Sequence, residues 1–263
     1  MARAPDGGAP GLCHPRPPCG WPITSRPVAT APQLSVVIPA FNEEARVLQS
    51  LELIAPYLQA SGLAYEVIVV DDGSSDSTAA LVREAAAANS HVRALELKPN
   101  QGKGRAVAEG VLASRGELVL VSDTDFSSPI EEMSKLQAAI DAGADIAIGS
   151  RAKRGAREKE QPIHRVLMGK TFNLMVQAVA LPGLWDTQCG FKLYKGKVAR
   201  EVFSKLRTDG FAFDVEALLR ARRAGYRVAE VPVVWRHSAP TRILPFRHSA
   251  QMVRDLVRIR FMP

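Results

Sequence analysis

Five short runs of mostly apolar residues recur between residues 34 and 150, and each is separated from the next by enough chain for one helix. The runs cover 34–39, 65–70, 92–97, 118–122 and 146–150. Between the first two, Val47, Leu48, Leu51 and Ile54 share one helical stripe, and the intervals 78–88, 104–114 and 130–141 carry comparable patterns. Residues 65–70 (YEVIVV) are nearly continuous in apolar character, as in a strand covered on both faces. Strands joined through helices cannot pair as hairpins, so the chain is predicted to be α/β with a mostly parallel central sheet and right-handed crossovers.

Such sheets bind their ligands at the carboxyl ends of the strands. The rule selects Pro39 to Glu43, Asp71-Asp72-Gly73, Ser122-Asp123-Thr124-Asp125 and Gly149-Ser150-Arg151. Two of these segments carry paired acids. Carboxylates gathered at one edge repel unless a cation or ligand hydroxyls hold them, and a hard divalent metal bridging phosphates is the economical solution. Asp76 and Ser77 read as turn and helix-cap groups for 78–88. Gly102-Lys103-Gly104 is not a dinucleotide fingerprint, because Val107 stands where the third glycine is required. Lys103 fits a lysine facing a sugar nucleotide and an exposed helix-start lysine equally well.

The ordered set of motifs resembles family 2 glycosyltransferases of the nucleotide-sugar GT-A type. It comprises Val37-Ile-Pro-Ala-Phe-Asn-Glu-Glu44, Val69-Val-Asp-Asp-Gly-Ser-Ser-Asp-Ser-Thr78, Asn100-Gln-Gly-Lys-Gly104 and Ser122-Asp-Thr-Asp125. Ile148-Gly-Ser-Arg151, Asp186-Thr-Gln-Cys-Gly-Phe-Lys192 and Gly210-Phe-Ala-Phe-Asp-Val-Glu216 are similar to the polyprenyl-phosphate sugar transferases, above all to the dolichyl-phosphate β-glucosyltransferase branch. The resemblance implies that Pro39, Phe41 and Glu43 border the base and ribose and that Val70 and Asp72 grip the nucleoside. Asp123, Thr124 and Asp125 would meet the sugar nucleotide, with Asp123 and Asp125 as the Asp-x-Asp element that holds Mg²⁺ or Mn²⁺. Relatives that supply a glutamine two residues later have no counterpart here, since Ser127 stands in its place. Arg236 and Arg242 would contact the diphosphate. Asp214 occupies the position of a catalytic acid in other branches, but capping the helix 215–225 is the favoured role for it.

Charge divides the chain. Residues 1–150 hold 11 basic and 18 acidic residues, whereas 151–263 hold 23 and 9. The basic half suits an acceptor that is itself an anion on a lipid. Arg151, after the fifth strand, is expected to clamp the acceptor phosphate, with Arg165 nearby. Residues 163–181 read as an interfacial helix, with a buried core helix as the alternative, behind a basic loop of Lys153, Arg154, Arg157 and Lys159. Residues 246–262 form an amphipathic basic helix that suits either packing on the domain or lying on a membrane. A phosphate acceptor is already ionised near neutral pH and needs no general base.

The expected organisation is a disordered lead-in over 1–33, which contains 8 of the 18 prolines, a catalytic domain over 34–243 and a basic helix over 244–263. Three cysteines, two of them in the lead-in, make no disulfide framework. No stretch reaches the ~18 apolar residues of a membrane span, and no signal-peptide core is visible. The expected protein is a cytoplasmic, membrane-peripheral transferase. It would move a hexose, glucose from UDP-glucose first, onto a polyprenyl phosphate with inversion. A same-fold enzyme using GDP-mannose or a soluble acceptor fits the same residues, as does a non-catalytic nucleotide-sugar or nucleic-acid binder. A pI near 9.5 permits nucleic acid, but an Asp-x-Asp element would be superfluous there, so no nucleic-acid partner is expected.

Overall fold

The computed structural model describes residues 31–159, 163–236 and 245–262. The first half follows the sequence pattern closely. Strand β1 (Leu34–Ala40) leads through α1 (Val47–Ala60) to β2 (Tyr65–Asp71), then through α2 (Thr78–Ala88) to β3 (Val92–Glu96). Helix α3 (Lys103–Ala113), strand β4 (Leu118–Ser122), a 3₁₀ turn over Ile130–Glu132, α4 (Met133–Asp141) and β5 (Ile146–Ser150) complete it. Helix α1 starts with the stripe at Val47, after a turn in which the Arg46 and Val47 amides donate to the Glu43 carbonyl. Its apolar positions Val47, Leu51, Ile54 and Leu58 fall one turn apart and are all buried.

The second half holds more surprises. Short β6 (Arg157–Lys159) replaces part of the expected basic loop, and α5 (Ile163–Val179) follows. Strand β7 (Phe191–Lys195), α6 (Gly196–Phe203), α7 (Phe213–Arg223), β8 (Val228–Pro232), β9 (Val234–Arg236) and α8 (Pro245–Arg260) close the chain. The main sheet has the order β3-β2-β1-β4-β7-β5-β8. Every pairing in it is parallel except those of β7, which lies antiparallel between β4 and β5. The sequence FKLYK conceals this strand, because two lysines in five residues read as a surface segment. A second, two-stranded sheet pairs β6 with β9 in parallel.

Alternation along the strands sends side chains to two cores. Val37, Ile68, Val70, Val119 and Val121 face the layer that includes α3, α6 and α7. Val36, Ile38, Val67, Val69 and Leu120 face α1 and α4. Helix α5 contributes Val176 to the first core, fully buried, while its Leu174 is exposed. Helix α8 is not a separate appendage: Leu256 and Ile259 are buried in that same core against α7, and α8 also contacts α5. At the other end, the ordered fold already includes Gln33, whose amide donates to the Ala64 carbonyl, and Pro32, whose carbonyl accepts from Glu117. The rest of the expected lead-in, residues 1–30, lies outside the described residues. Among the described residues, no helix is long and apolar enough to cross a membrane.

Candidate active site

The carboxyl ends of β1, β2 and β4 converge as the strand pattern requires, and the start of β7 joins them. An open cleft there is lined by Ser122, Asp123, Asp125, Ser127, Ser128, Gly190 and Trp235. The middle residue of the Asp-x-Asp element is its anchor. Thr124 is buried, its hydroxyl donates to the Pro39 carbonyl (2.7 Å), and its own carbonyl accepts from Ser50 Oγ. With Thr124 pinned inward, Asp123 and Asp125 point the other way, into the cleft. Thr124, expected to meet the sugar nucleotide, braces the loop through these two contacts.

Asp125 Oδ1 accepts from the Ser127 amide at 2.9 Å. Asp123 Oδ1 lies 2.6 Å from Lys103 Nζ. Burial works against the charge on Lys103, but Asp123, Asp214 and Asp125 outweigh it and raise its pKa. Lys103, at the start of α3, is thus turned toward the Asp-x-Asp element. Beneath Asp123 lies Gly190, whose carbonyl accepts from the Asp123 amide (3.2 Å). A β-carbon at Gly190 would collide with the Asp123 carboxylate, so the residue at 190 must be glycine for this placement.

Among the described residues, no three or more His, Cys, Asp or Glu side chains gather to hold a metal. Asp123 and Asp125 alone would offer a cation two carboxylates. That donor set fits Mg²⁺ or Mn²⁺, which take one or two carboxylates and complete their shell with water and substrate phosphate oxygens.

The carboxylates of β2 have other tasks. Asp72 is buried and accepts from the amides of Gln101 (2.8 Å) and Gly102 (2.9 Å) and from Asn100 Nδ2 (2.9 Å). Burial raises its pKa against the pull of those amides. Asp72, expected to grip the nucleoside, fastens the 100–102 loop that delivers Lys103. Its neighbour Asp71, expected to be structural, accepts from the Ser74 amide, yet its Oδ1 is buried without a partner. Gly73 completes this turn at φ +71°, with the Asn100 amide where a β-carbon would stand. Val70 is fully buried beneath α3 and cannot touch a nucleoside with its side chain, which corrects that expectation. Glu43 is held in a two-point ion pair by Arg46 (2.7 and 2.9 Å), whereas Phe41 is 41% exposed at the rim and Pro39 half-buried.

On the second-half side, Arg151, expected to clamp the acceptor phosphate, is ion-paired. Its Nε and Nη2 meet the Asp186 carboxylate at 2.8 and 2.9 Å, and its guanidinium lies 5.4 Å from the Trp235 ring centroid. Burial disfavours charge on Asp186, but Arg151 more than compensates and lowers its pKa. Asp214 does not cap α7, whose N-cap is Ala212. It sits buried in the first turn, and its Oδ1 lies 2.7 Å from the equally buried Lys192 Nζ. Burial raises the Asp214 pKa in spite of Lys192 and Lys103. Arg236 is exposed, and its amide donates to the Ser127 carbonyl (2.7 Å), which puts it beside the Asp-x-Asp loop. Arg165 falls within α5, and Arg242 lies outside the described residues.

Sequence reasoning missed the parts played by Asp186, Gly190, Lys192 and Trp235. The available signal was Lys192 itself, a lysine between apolar residues of a strand, which asks for a buried acid.

Residues 35–203 match the model of glycosyl transferase family 2. The chain belongs to that family. It is 37% identical over 244 residues to the dolichyl-phosphate β-glucosyltransferase of Dictyostelium discoideum, covering 87% of this chain and 74% of that one. It is 35% identical to the human enzyme of the same name (87% and 75%) and 34% identical to that of Saccharomyces cerevisiae (86% and 74%). Among solved structures it is similar to glucosyl-3-phosphoglycerate synthase from Mycobacterium tuberculosis in complex with Mn²⁺, UDP and glucosyl-3-phosphoglycerate. There the TM-score is 0.67 at 22% identity, over 88% of this chain and 81% of that one. The likeness shows the GT-A fold with its mostly parallel sheet.

Proposed function

We propose that this family 2 member transfers glucose from UDP-glucose to dolichyl or a related polyprenyl phosphate, with inversion to a β-linked lipid phosphate. The observation that carries the reading is the open Asp123–Asp125 cleft in a chain 37% identical to a dolichyl-phosphate β-glucosyltransferase. Bound Mg²⁺ or Mn²⁺ would neutralise the diphosphate as it leaves. The remaining work belongs to the chain. Thr124 and Gly190 fix the direction of the two carboxylates, and the 100–102 loop sets Lys103 beside them. Trp235, steadied by the Arg151–Asp186 pair, forms one wall, and Arg236 on β9 brings a cation to the rim. The phosphate nucleophile is already ionised, so the site needs positioning and charge complementarity instead of a base. This agrees with an Asp214 committed to Lys192.

Association with the cytoplasmic membrane face is part of the same proposal. Helix α8 turns Val253, Val257 and Phe261 to solvent beside Arg254, Arg258 and Arg260, and α5 exposes Leu174. Each cation near an anionic bilayer adds about 1 kcal/mol, and the apolar groups can enter the interface.

The deciding experiment is transfer of radiolabelled sugar into extracted polyprenyl phosphate, with UDP-glucose, GDP-mannose and a soluble phosphate acceptor run in parallel. Label in the lipid from UDP-glucose alone is the expected result. Preference for GDP-mannose, or for the soluble acceptor, would overturn the assignment of donor or acceptor.

A further inference from the structure

The ammonium of Lys103 sits against the carboxylate on which the proposed metal site depends. Asp123 and Asp125 stand two residues apart at one sheet edge, and Asp214 adds a third negative charge to the surroundings of Lys103. Lys192 neutralises Asp214 within the core. Among the described residues, no Lys or Arg forms an ion pair with Asp125, and Lys103 is the partner of Asp123. Among the described residues, the cation at ion-pair distance from the Asp-x-Asp element is Lys103, 2.6 Å from Asp123 Oδ1.

The base of Lys103 is fixed while its tip is not. The Gly102 amide is held by Asp72 (2.9 Å) and the Gly104 amide by the Asp209 carbonyl (2.7 Å), so the backbone on either side of Lys103 is tethered. The side chain retains 27% exposure and a flexible four-carbon stem. It can therefore exchange partners without any movement of α3.

We propose that Lys103 is a positioning residue that stands in for the divalent cation. It aims Asp123 through their ion pair, then leaves for the donor's diphosphate when a metal ion takes the carboxylate. The assignment rests on the reading of Asp123 and Asp125 as cation ligands. One consequence is thermodynamic. Metal alone must displace an ammonium that then has no partner, whereas metal arriving with a diphosphate gives that ammonium an anion to meet. Lys103 thus makes metal and nucleotide bind with positive coupling, and coupling of this kind is reciprocal.

The test is Mn²⁺ binding to the full chain, followed by the electron paramagnetic resonance signal of free Mn²⁺, with and without UDP. In Lys103→Met, Mn²⁺ alone should bind about tenfold more tightly than in wild type, because its competitor is gone. The extra tightening produced by UDP should shrink by a similar factor. Lys103→Arg, which keeps the charge, should stay within about twofold of wild type on both readouts. If Lys103→Met binds Mn²⁺ alone no more tightly than wild type, or if Lys103→Arg behaves like Lys103→Met, the stand-in role is wrong. Asp125→Asn tests the underlying reading separately. Unchanged Mn²⁺ affinity in that variant, with UDP present, would remove the metal site itself.

Discussion

The two halves of this chain keep their charged groups in place by different means. In the first half, the acids at the sheet edge are held largely by backbone amides: Asp72 by Gln101 and Gly102, Asp71 by Ser74, Asp125 by Ser127. In the second half they are held by opposite charges: Asp186 by Arg151, Asp214 by Lys192, Glu216 by Arg220. An acid bound by amides stays placed but keeps its negative charge in play, as donor chemistry with a metal demands. An acid bound by a cation is neutralised as a pair and becomes scaffold, and Asp123 with its partly exposed partner Lys103 is the exception at the sheet edge. The halves thus divide into reacting charge and supporting charge.

The sharpest way to break this division is to remove a charge on the reacting side. Asp125→Ala should lower metal-dependent transfer about a thousandfold, the several kcal/mol that a metal contributes at a leaving group, with little change in Tm. On the supporting side the signs reverse. Lys192→Met leaves Asp214 buried without its partner and should cost about 3 kcal/mol of stability in denaturant titration. The double variant Lys192→Met with Asp214→Leu should recover most of that loss. If Lys192→Met is as stable as wild type, the pair is not scaffold.

Gly190→Ala sits at the meeting point of the halves. Its methyl group would push Asp123 aside, so transfer should fall about a hundredfold, as for a ~1 Å misplacement of a reacting group. Far-ultraviolet circular dichroism should be unchanged. Smaller still, Asp72→Ala should loosen the 100–102 loop by about 1–3 kcal/mol, visible as faster amide exchange there and a raised KM for the nucleotide sugar.

The mildest effect separates the two kinds of carboxylate by pH. Asp186 has a pKa lowered in the folded chain, so its stabilisation is intact above its unfolded value and is lost as pH falls from about 4 through the folded value. Asp72 is shifted the other way, and its contribution weakens as pH rises through the carboxylate range. Asp186→Asn should flatten the acid limb of a Tm-against-pH curve, and Asp72→Asn should leave that limb in place.

The same contrast explains what could be read in the sequence. The first five strands and their helices were legible because apolar periodicity is local, and the Asp-x-Asp element because it sits at a strand's carboxyl end. The second half was harder because its meaning lies in long-range pairs. Nothing near Arg151 in sequence announces Asp186, and nothing near Asp214 announces Lys192. Strand β7 was hidden for that reason, since Lys192 is buried only because a partner from α7 neutralises it. Val70, Thr124 and Asp72 show the converse: a motif marks the place, but it does not say that Val70 packs beneath α3 or that Thr124 and Asp72 hold neighbouring loops.

Strand β7 carries a consequence for how the chain assembles. It lies between β4 and β5 in the sheet but follows both in sequence, with α5 intervening. Until residues 191–195 arrive, β4 and β5 each present an unpaired edge, the kind of surface that recruits strands from other chains. The first half therefore cannot close its own sheet as it leaves the ribosome. A fragment ending at residue 150 should aggregate, and adding the remainder in trans should rescue it. Because Gly190 begins the closing segment, the cleft takes its final shape in the same event that seals the sheet.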